Sequence, residues 1–303
     1  MNKNCYENYL KKAQDNDGIL LSTEYKTILS YYKFKCKRGH EFTIQGRKVH
    51  NHWCNECRLI DIRKYKINDS ILKEETEEVF YLAGYWAADG CKRHTEDSGY
   101  LCQIELATKD KHILEKFKNI LGYTGNITDR TRKCKKSKSG ISNISMLKFN
   151  SREIYYDFEK FGIIQRKTYT MEIPEYVLNH KYLRHYLRGY IDGDGCFAYA
   201  QNKNQRKHIT FCMKGTYMFL NQFRDILINE NIISKEFRDF IPKEGKQYKV
   251  FDKIQLSGNN VILNLYNFLY DNATIFLDRK YQIAKDSLTL ARYNKNVKRK
   301  TYE

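Results

Sequence analysis

The chain has 303 residues, with 54 Lys and Arg against 36 Asp and Glu, which gives a formal net charge of +18 at pH 7. Hydrophobic residues make up 41% and aromatic residues 14% of it, which argues against a disordered protein, and only 2 Pro and 16 Gly exclude a collagen-like or proline-rich chain. The charge favours a polyanionic partner, either nucleic acid or an anionic membrane surface, because Lys and Arg release counterions from phosphates. The alternative is a basic protein whose charge serves solubility alone.

The hydrophobic pattern indicates in which compartment the protein acts. No run reaches the roughly 18 apolar residues that a membrane span needs, and the first 18 residues are polar with mixed charge, unlike a secretory signal. We therefore expect an intracellular protein that does not use a membrane and that keeps its nine Cys reduced. Under those conditions a cysteine cluster indicates a metal site rather than a disulfide framework.

A Cys/His pattern lies within the first 60 residues, between a predicted helix at 5–14, strands at 18–22 and 31–36, and a charged stretch. Cys36, His40, Cys54 and Cys57 have the spacing C-x3-H-x13-C-x2-C. Zinc prefers four tetrahedral sulfur and nitrogen ligands, and a CxxC pair places two thiolates on one ion. The pattern resembles a treble-clef or zinc-ribbon module and predicts a structural Zn²⁺, since so small and polar a segment would fold poorly without metal.

Other interpretations of this segment stay open. His50 and His52 compete as ligands, and a set of unmetallated thiols is the alternative to a metal site. The string His50-Asn51-His52 is a poor candidate for an HNH nuclease motif, whose residues are spread over a hairpin and a helix. A zinc-dependent hydrolase would need an open coordination position, which four filled positions do not leave.

Beyond a predicted linker at 61–75, the same order of elements occurs twice at an offset of about 105 residues. In the first copy the periodicity predicts helix 79–88, strand 100–108, helix 109–121, strands 123–130 and 142–150, and helix 151–161 ending at Gly162, a left-handed C-cap. In the second copy it predicts helix 182–191, strands 196–201 and 207–214, helix 215–230, strands 234–241 and 248–257, and helix 259–270. The order is α-β-β-α-β-β-α in both, which predicts two pseudo-symmetric half-domains.

Each copy opens with a related string, LAGYWAADG at 82–90 and LRGYIDGDG at 187–195. Small residues on one face of each helix allow two helix backbones to approach closely. Each helix ends on an acid, Asp89 or Asp194, followed by a glycine that is able to take the left-handed C′ position. A carboxylate is unfavourable at a negative helix C-terminus, so two such ends side by side imply a divalent cation. Either string alone would indicate only a helix end with a solvated Asp.

The two strings and the element order resemble the LAGLIDADG homing endonuclease family in its single-chain, two-motif form, over residues 76 to 290. The resemblance implies an α+β fold in which two αββαββα half-domains, 76–172 and 173–303, form a DNA-binding saddle behind the N-terminal zinc module at 1–60. It implies that the two motif helices form the interface between the half-domains. At the sixth motif position Ala87 replaces the usual acid, whereas Asp192 keeps it and is expected to cap or pack rather than to catalyse.

The resemblance also implies the site residues. Asp89 and Asp194, with Gly90 and Gly195, would hold Mg²⁺ (or Mn²⁺), and each acid would serve the cleavage of one strand and leave 3′ overhangs. Metal ions would activate water, stabilise charge on phosphorus and hold the leaving oxygen. Lys167 and Lys280 occupy the places of the family's basic residues near the scissile phosphates.

DNA contacts are predicted in two segments. A basic run with six cations suits phosphate binding: Arg130, Arg132, Lys133, Lys135, Lys136 and Lys138. A matching segment in the second copy is rich in amide groups that pair with base edges: Gln201, Lys203, Gln205 and Arg206. Gln103 and Gln201 are weaker candidates for the hydrated network around the metals.

The sequence therefore predicts a site-specific, divalent-metal-dependent, double-strand DNA endonuclease of the intron-homing kind. We expect a monomer, since both half-sites are internal, acting on a long, weakly palindromic or asymmetric site. The alternatives are an intron maturase, which would bind RNA, and a catalytically silent DNA-binding regulator of the same fold.

Overall fold

The computed structural model describes residues 3–96, 99–135, 139–201, 207–237 and 251–290. It divides into two compact units, Met1–Lys66 and Ile67–Glu303. The division falls inside the predicted linker at 61–75. From Ile67 onwards the chain packs with the second unit, where Leu72 is buried and the backbone N–H of Asn68 donates to the carbonyl of Leu121 at 2.9 Å.

The N-terminal unit is a small sheet flanked by helices. Its elements are α1 Lys3–Asp15, β1 Ile19–Leu20, β2 Tyr31–Lys35, β3 Glu41–Gln45 and α2 Asn55–Asp61. The three strands pair antiparallel in the order β1-β2-β3. In β2 alternate residues face inward, so that Tyr32 and Phe34 join Tyr9, Leu20 and Val49 in a separate small core.

The second unit contains the two copies. The first comprises α3 Glu77–Asp89, β4 Gly90–Thr95, β5 Gly99–Ala107, α4 Lys111–Ile120, β6 Thr128–Lys133, β7 Ile141–Asn150 and α5 Arg152–Asp157. After α6 Glu175–Leu178, the second comprises α7 Leu183–Asp194, β8 Cys196–Gln201, β9 Lys207–Thr216, α8 Tyr217–Asn229, β10 Phe251–Ser257 and α9 Asn259–Tyr270, followed by α10 Asp278–Lys285. The α+β fold with two repeated half-domains is confirmed.

Both sheets of the second unit are antiparallel. The first has the order β4-β5-β7-β6, and the second, within the described residues, has the order β10-β9-β8. One face of each carries apolar residues such as Leu147, Phe149, Phe211 and Leu256, which share a single core with the helices. The opposite faces carry the polar residues of the same strands and are left for solvent or a ligand.

Local sequence explains the helix boundaries. Thr76, Ser151 and Thr216 begin α3, α5 and α8, and each hydroxyl accepts a hydrogen bond from the backbone N–H three residues later. Gly162 ends the turn after α5 at a φ of 75°, which confirms the predicted left-handed cap. Helix α3 is buried from Val79 to Ala87, because it lies between its partner helix and the core.

Some predicted elements are misplaced. The sequence pattern does not predict strand β4 or helix α10. Gly90–Thr95 is polar and 278–285 is strongly charged, so neither segment shows a clear apolar period. Strand β6 lies at Thr128–Lys133 rather than at 123–130. Of the strand predicted at 234–241, residues 234–237 are not in a strand, and the remainder lies outside the described residues.

Among the described residues, no helix combines the length and the apolar character that crossing a membrane would require.

Candidate active site and Cys/His cluster

The two motif helices pack directly against each other. A Cβ on Gly84 of α3 would overlap the carbonyl oxygen of Tyr186 in α7, and a Cβ on Gly189 would overlap the carbonyl oxygen of Tyr81 in α3. The contact is therefore made by backbone against backbone, which only a residue without a side chain permits. The predicted close approach of the two helices is confirmed.

This packing brings the two acid-bearing helix ends together. Asp89 is the last residue of α3 and Asp194 the last residue of α7. A Cβ on Gly193, the residue before Asp194, would lie 3.3 Å from Oδ2 of Asp89. Both acids are exposed to solvent. The helix ends thus present two carboxylates side by side on an accessible surface.

The electrostatic environment opposes the charge of both acids. Protein packed around the carboxyl group reduces its hydration, and this loss of hydration and then the nearby charge of Asp194 raise the pKa of Asp89 to about 6. The same loss of hydration raises the pKa of Asp194, although the charges of Lys280 and Lys167 and a hydrogen bond with Tyr190 act in the opposite direction. A cation close to both carboxylates would offset this cost.

The two lysines lie beside the acids and hold backbone oxygens of the same helix ends. Nζ of Lys167 donates to the carbonyl of Gly90. Lys280 is buried, and its Nζ donates to the carbonyls of Ile191 at 3.0 Å, Asp192 at 2.6 Å and Gly193 at 2.9 Å. Burial lowers the pKa of both lysines, whereas the charges of Asp89 and Asp194 raise it. Lys280 thus neutralises the negative end of α7.

The predicted left-handed conformation of the two motif glycines is wrong. Gly90 has φ −80° and ψ 158°, and Gly195 has φ −77° and ψ 161°, so both are extended. Glycine is needed here for space, because a Cβ on Gly90 would overlap the indole ring of Trp86 and one on Gly195 would lie 2.7 Å from the carbonyl oxygen of Ile191. The chain passes straight from each helix into the first strand of its sheet.

Asp192 has the packing role expected of it. It is fully buried and accepts hydrogen bonds from the hydroxyls of Tyr81 and Tyr270, both at 2.8 Å, and from the backbone N–H of Leu277 at 2.7 Å. Tyr81 belongs to α3, so this acid joins the two motif helices. Ala87, at the matching position of α3, is buried without a polar group.

A buried arginine that the motif pattern did not reveal also joins the two copies. Arg188 is fully buried and donates to the carbonyls of Ile275 and Leu269, each at 2.9 Å, and to Glu77 at 2.6 Å. Its guanidinium lies 5.4 Å from the ring centroid of Tyr81. A basic residue in an otherwise apolar motif helix was the signal that could have identified it.

Two further residues near Asp194 were missed. Tyr190 lies one helical turn earlier, and its hydroxyl hydrogen-bonds to Asp194. Lys214, on the outward face of β9, lines a cleft of about 90 Å³ together with Asp194 and Lys167. The strand alternation of 211–215, apolar inward and polar outward, could have pointed to Lys214.

The predicted DNA-contact residues lie on exposed strands where they are described. Arg130, Arg132 and Lys133 belong to β6, which is exposed along its whole length, and Lys135 follows it. Arg130 donates to Glu105, so its charge is partly neutralised. Gln201 ends β8 and is exposed. The remaining predicted contacts lie outside the described residues: Lys136, Lys138, Lys203, Gln205 and Arg206.

In the N-terminal unit, the four residues of the Cys/His pattern meet at one point. Nδ1 of His40 lies 3.5 Å from the sulfur of each of Cys36, Cys54 and Cys57, and the sulfurs of Cys36 and Cys57 are also 3.5 Å apart. Disulfide sulfurs would be roughly 2.05 Å apart, so these thiols are not bonded to each other. The spacing matches the edges of a tetrahedron with bonds of about 2.0–2.3 Å to a central ion.

Burial and mutual contact shift the pKa values of the three thiols. Burial raises the pKa of Cys54, and burial together with the neighbouring sulfurs raises that of Cys57 to about 12. Burial acts in the same direction on Cys36, but hydrogen bonds from Cys57 and from the backbone N–H groups of Arg38 and His40 lower its pKa overall. Without a cation the cluster would remain mostly protonated, and a metal would displace those protons.

Neither competing histidine joins this group. Within the described residues, the cluster of three or more His, Cys, Asp or Glu that could hold an ion is formed by Cys36, His40, Cys54 and Cys57. The ring of His50 lies 6.3 Å from that of Tyr9, and His52 lines a separate groove.

A comparison of the chain with known protein families supports the two copies in the second unit. The model of the LAGLIDADG-like domain matches twice, over residues 76–164 and 181–268, which together span more than half of the chain. The fold and the paired acids are therefore those of a protein with two LAGLIDADG-like copies. This chain belongs to the LAGLIDADG-like domain family.

Several solved structures resemble the chain. The meganuclease I-SmaMI bound to uncleavable DNA is 15% identical, with 74% of this chain and 91% of that chain covered and a TM-score of 0.46. I-GzeII in complex with its DNA target is 13% identical, with 74% and 92% covered and a TM-score of 0.45. I-LtrWI bound to target DNA is 16% identical, with 75% and 92% covered and a TM-score of 0.44. A comparison with curated proteins finds no match.

Proposed function

We propose that the chain is a site-specific DNA endonuclease that hydrolyses phosphodiester bonds at Asp89 and Asp194. The observation that carries the proposal is the meeting of the two acid-bearing helix ends, with a lysine at each, on an accessible surface of a LAGLIDADG-like fold. A binding protein would gain nothing from two exposed carboxylates at negative helix ends, and they would repel DNA.

The residues at this surface fit a divalent cation. Asp89 and Asp194 supply the oxygen ligands that Mg²⁺ and Mn²⁺ prefer, and their pKa values stay raised although the charges of Lys167 and Lys280 lower them. Gly90 and Gly195 follow the acids and complete the proposed set. When bound, the metal would polarise the phosphate and lower the pKa of an attacking water.

The chain's own residues would position the substrate and balance its charge. Lys167 and Lys280 place an ammonium beside each acid, where each would stabilise the added negative charge on phosphorus. Lys167 is held by a single carbonyl and Lys280 by three. We therefore assign Lys167 to contact with substrate, and to Lys280 the additional task of fixing the end of α7.

The two halves would each cut one strand of a duplex held across the polar faces of the two sheets. Arg130, Arg132 and Lys133 would contact phosphates from β6, and Lys214 would contact a phosphate near Asp194. Because both acids belong to one chain, one monomer would cleave both strands of a long site, leaving 3′ overhangs.

Cleavage of a plasmid library carrying random inserts tests this proposal. With Mg²⁺ the wild-type chain is expected to linearise a subset of plasmids, whereas Asp194→Asn should lose linearisation by at least about 100-fold, a loss typical of removing one catalytic group. Asp225→Asn, on the exposed surface of α8, is the matched control and should cut like wild type. Equal cutting by wild type and Asp194→Asn would refute the role of the acid.

We further infer that the N-terminal unit holds a structural Zn²⁺ on Cys36, His40, Cys54 and Cys57. The near-equal ligand distances and the N–H···S bonds around Cys36 support this assignment. Four protein ligands would fill the tetrahedral positions, so the ion would stabilise the unit and would leave no position for a reacting water.

A further inference from the structure

A groove of about 470 Å³ lies on the surface of the N-terminal unit. Its volume falls within the range of roughly 300–1,000 Å³ that ligand sites occupy. The residues that line it and matter here are Phe42, Asn51, His52, Trp53, Asn55 and Arg58. None of them belongs to the strand-cleavage site, so the groove would serve a separate purpose.

The floor of the groove is aromatic and rigid. The rings of Phe42 and Trp53 are 5.1 Å apart and nearly perpendicular, at 83°. Both rings also pack on the fully buried Phe34, at 5.7 and 5.4 Å. Two fixed rings at a right angle form a corner in which a flat ligand stacks on one ring and meets the other at its edge. Little side-chain entropy would be lost on binding.

The rim of the groove is polar and carries positive charge. Asn51, His52, Asn55 and Arg58 are exposed. Nε and Nη2 of Arg58 donate to Oδ1 of Asn55 at 3.1 and 2.9 Å, which fixes the guanidinium and leaves its other N–H groups for an anion. With Oδ1 used in this way, the amide nitrogen of Asn55 remains a donor for a ligand edge.

The surrounding charge selects between flat ligands. The unit Met1–Lys66 contains fourteen Lys and Arg against seven Asp and Glu, so a cationic ligand such as a methylated lysine would be repelled. A nucleobase offers a π face for the aromatic corner, an edge for the amides and a phosphate for Arg58. In a duplex the faces of the base are covered by its neighbours, which leaves only an unpaired base able to enter.

We propose that this groove binds an unpaired nucleotide of a DNA strand, such as one in a displaced or frayed end. The proposal goes beyond strand cleavage and does not depend on it, because the groove and the acids belong to different units and the binding needs no reaction. It adds a single-strand binding site to a chain whose sheets are proposed to hold duplex.

Tryptophan fluorescence gives a direct readout of the groove. The chain has two Trp, and Trp86 is fully buried, so quenching by added DNA reports Trp53. The zinc-loaded full chain is titrated at about 200 mM salt, which screens nonspecific phosphate contacts. The probes are a mixed-sequence 12-nucleotide DNA strand, the same strand as a duplex, and the same sequence as RNA.

The single DNA strand should quench Trp53 at a concentration at least ten-fold below that needed with the duplex. Asn55→Ala and Arg58→Ala should each weaken single-strand binding about five- to ten-fold without altering duplex binding. Arg47→Ala is the matched control, since Arg47 is also exposed and donates to an amide oxygen, that of Gln45 at 2.8 Å, but lies outside the groove.

Several outcomes would overturn the proposal. They are equal quenching by duplex and single strand, equal weakening by Arg47→Ala and Arg58→Ala, and binding of the RNA strand alone. Zinc content and the circular dichroism of each variant, compared with wild type, show that the unit remains folded, so an unchanged affinity of folded Arg58→Ala also counts against it.

Discussion

Asp89 and Asp194 show how a single residue's environment carries functional information. Each carboxylate ends a helix, where the dipole is already negative, and each faces the other across the contact of α3 and α7. Natural sequences keep such unfavourable charges where they are needed for binding or catalysis. The cost should therefore be measurable in the metal-free protein.

Replacing Asp89 by Asn should stabilise the metal-free chain at alkaline pH. The folded pKa of Asp89 is about 6, against about 3.9 for an unfolded Asp, so the folded state binds the proton more tightly. Its favourable contribution is present below pH 4 and is lost as the pH rises through 6. Because the side chain is exposed and partly screened, we expect a gain of about 1 kcal/mol at pH 8 and little change at pH 4.5.

Urea unfolding in EDTA at the two pH values measures this difference. Asp225→Asn controls for the loss of one negative charge from a basic protein. A stability of Asp89→Asn equal to wild type at pH 8 would contradict the electrostatic description of the site.

Arg188 illustrates a residue whose role is structural. Its guanidinium is buried among two carbonyls and Glu77, and removing it would leave the carboxylate and the carbonyls without their donor. Arg188→Met should lower the free energy of unfolding by about 3–5 kcal/mol, as is typical for breaking a buried ion pair. Arg224→Met on α8, where the arginine is partly exposed, should cost less than about 1 kcal/mol in the same denaturant titration. Similar losses in both variants would refute this role.

At the scale of elements, the two motif helices are the part of the fold that the sequence predicted best. The small residues at Gly84 and Gly189 carried the prediction, because a backbone contact permits nothing larger. The prediction of a left-handed backbone at Gly90 and Gly195 was wrong. Glycine is required there because the space beside Trp86 and Ile191 leaves no room for a side chain. Such tertiary contacts leave no local signal.

The strands were harder to predict for the same reason. A strand with one face toward the core shows alternating apolar and polar residues only if every inward position is apolar. Gly90–Thr95 lacks this alternation, because the inward position 92 is the buried Lys92. Nζ of Lys92 donates to the carbonyl of Tyr155 at 2.7 Å and to Glu159 at 2.9 Å, partners that come from a distant part of the chain. Arg188 and Lys214 were missed because their partners also come from other elements, whereas the partner of Tyr190, Asp194, lies one turn later in the same helix.

Alanine at either interface glycine should separate the motif helices. Gly84→Ala and Gly189→Ala each force a methyl group into a backbone carbonyl of the partner helix, and we expect a loss of at least about 3 kcal/mol or failure to fold. Gly215→Ala is the control, because its Cβ would meet the flexible end of Leu220 at 3.3 Å and should cost much less. Thermal unfolding compares the three, and a mild effect at Gly84 would contradict the close packing.

At the scale of the whole molecule, the net charge of +18 is distributed over two compact units. The second unit places Arg130, Arg132 and Lys214 on the outward faces of its sheets, and Lys133 lies on the exposed edge strand β6. The two acids interrupt this positive surface at the motif helices. The charge would draw DNA to the protein, and the acids, with bound metal, would act on it.

The N-terminal unit should depend on its metal. Among its described residues, six form the buried core, which are too few to stabilise the unit without an added constraint. Elemental analysis should find one Zn²⁺ per chain in the wild type and none in Cys57→Ser, and far-UV circular dichroism should show partial unfolding of that variant. Cys5→Ser, in α1 of the same unit, should keep the zinc and the fold. A folded, zinc-free Cys57→Ser would contradict a structural ion.

Strand-resolved cleavage shows whether each acid serves one strand of the duplex. A plasmid carrying a site selected from the random library is cut by the wild type, Asp89→Asn and Asp194→Asn, each with Mg²⁺, and the two strands are labelled separately. If each acid serves one strand, each variant nicks one strand, the two variants nick opposite strands, and the wild type cuts both. Cleavage of both strands by either variant, or nicking of the same strand by the two, would contradict the assignment of one acid to each strand.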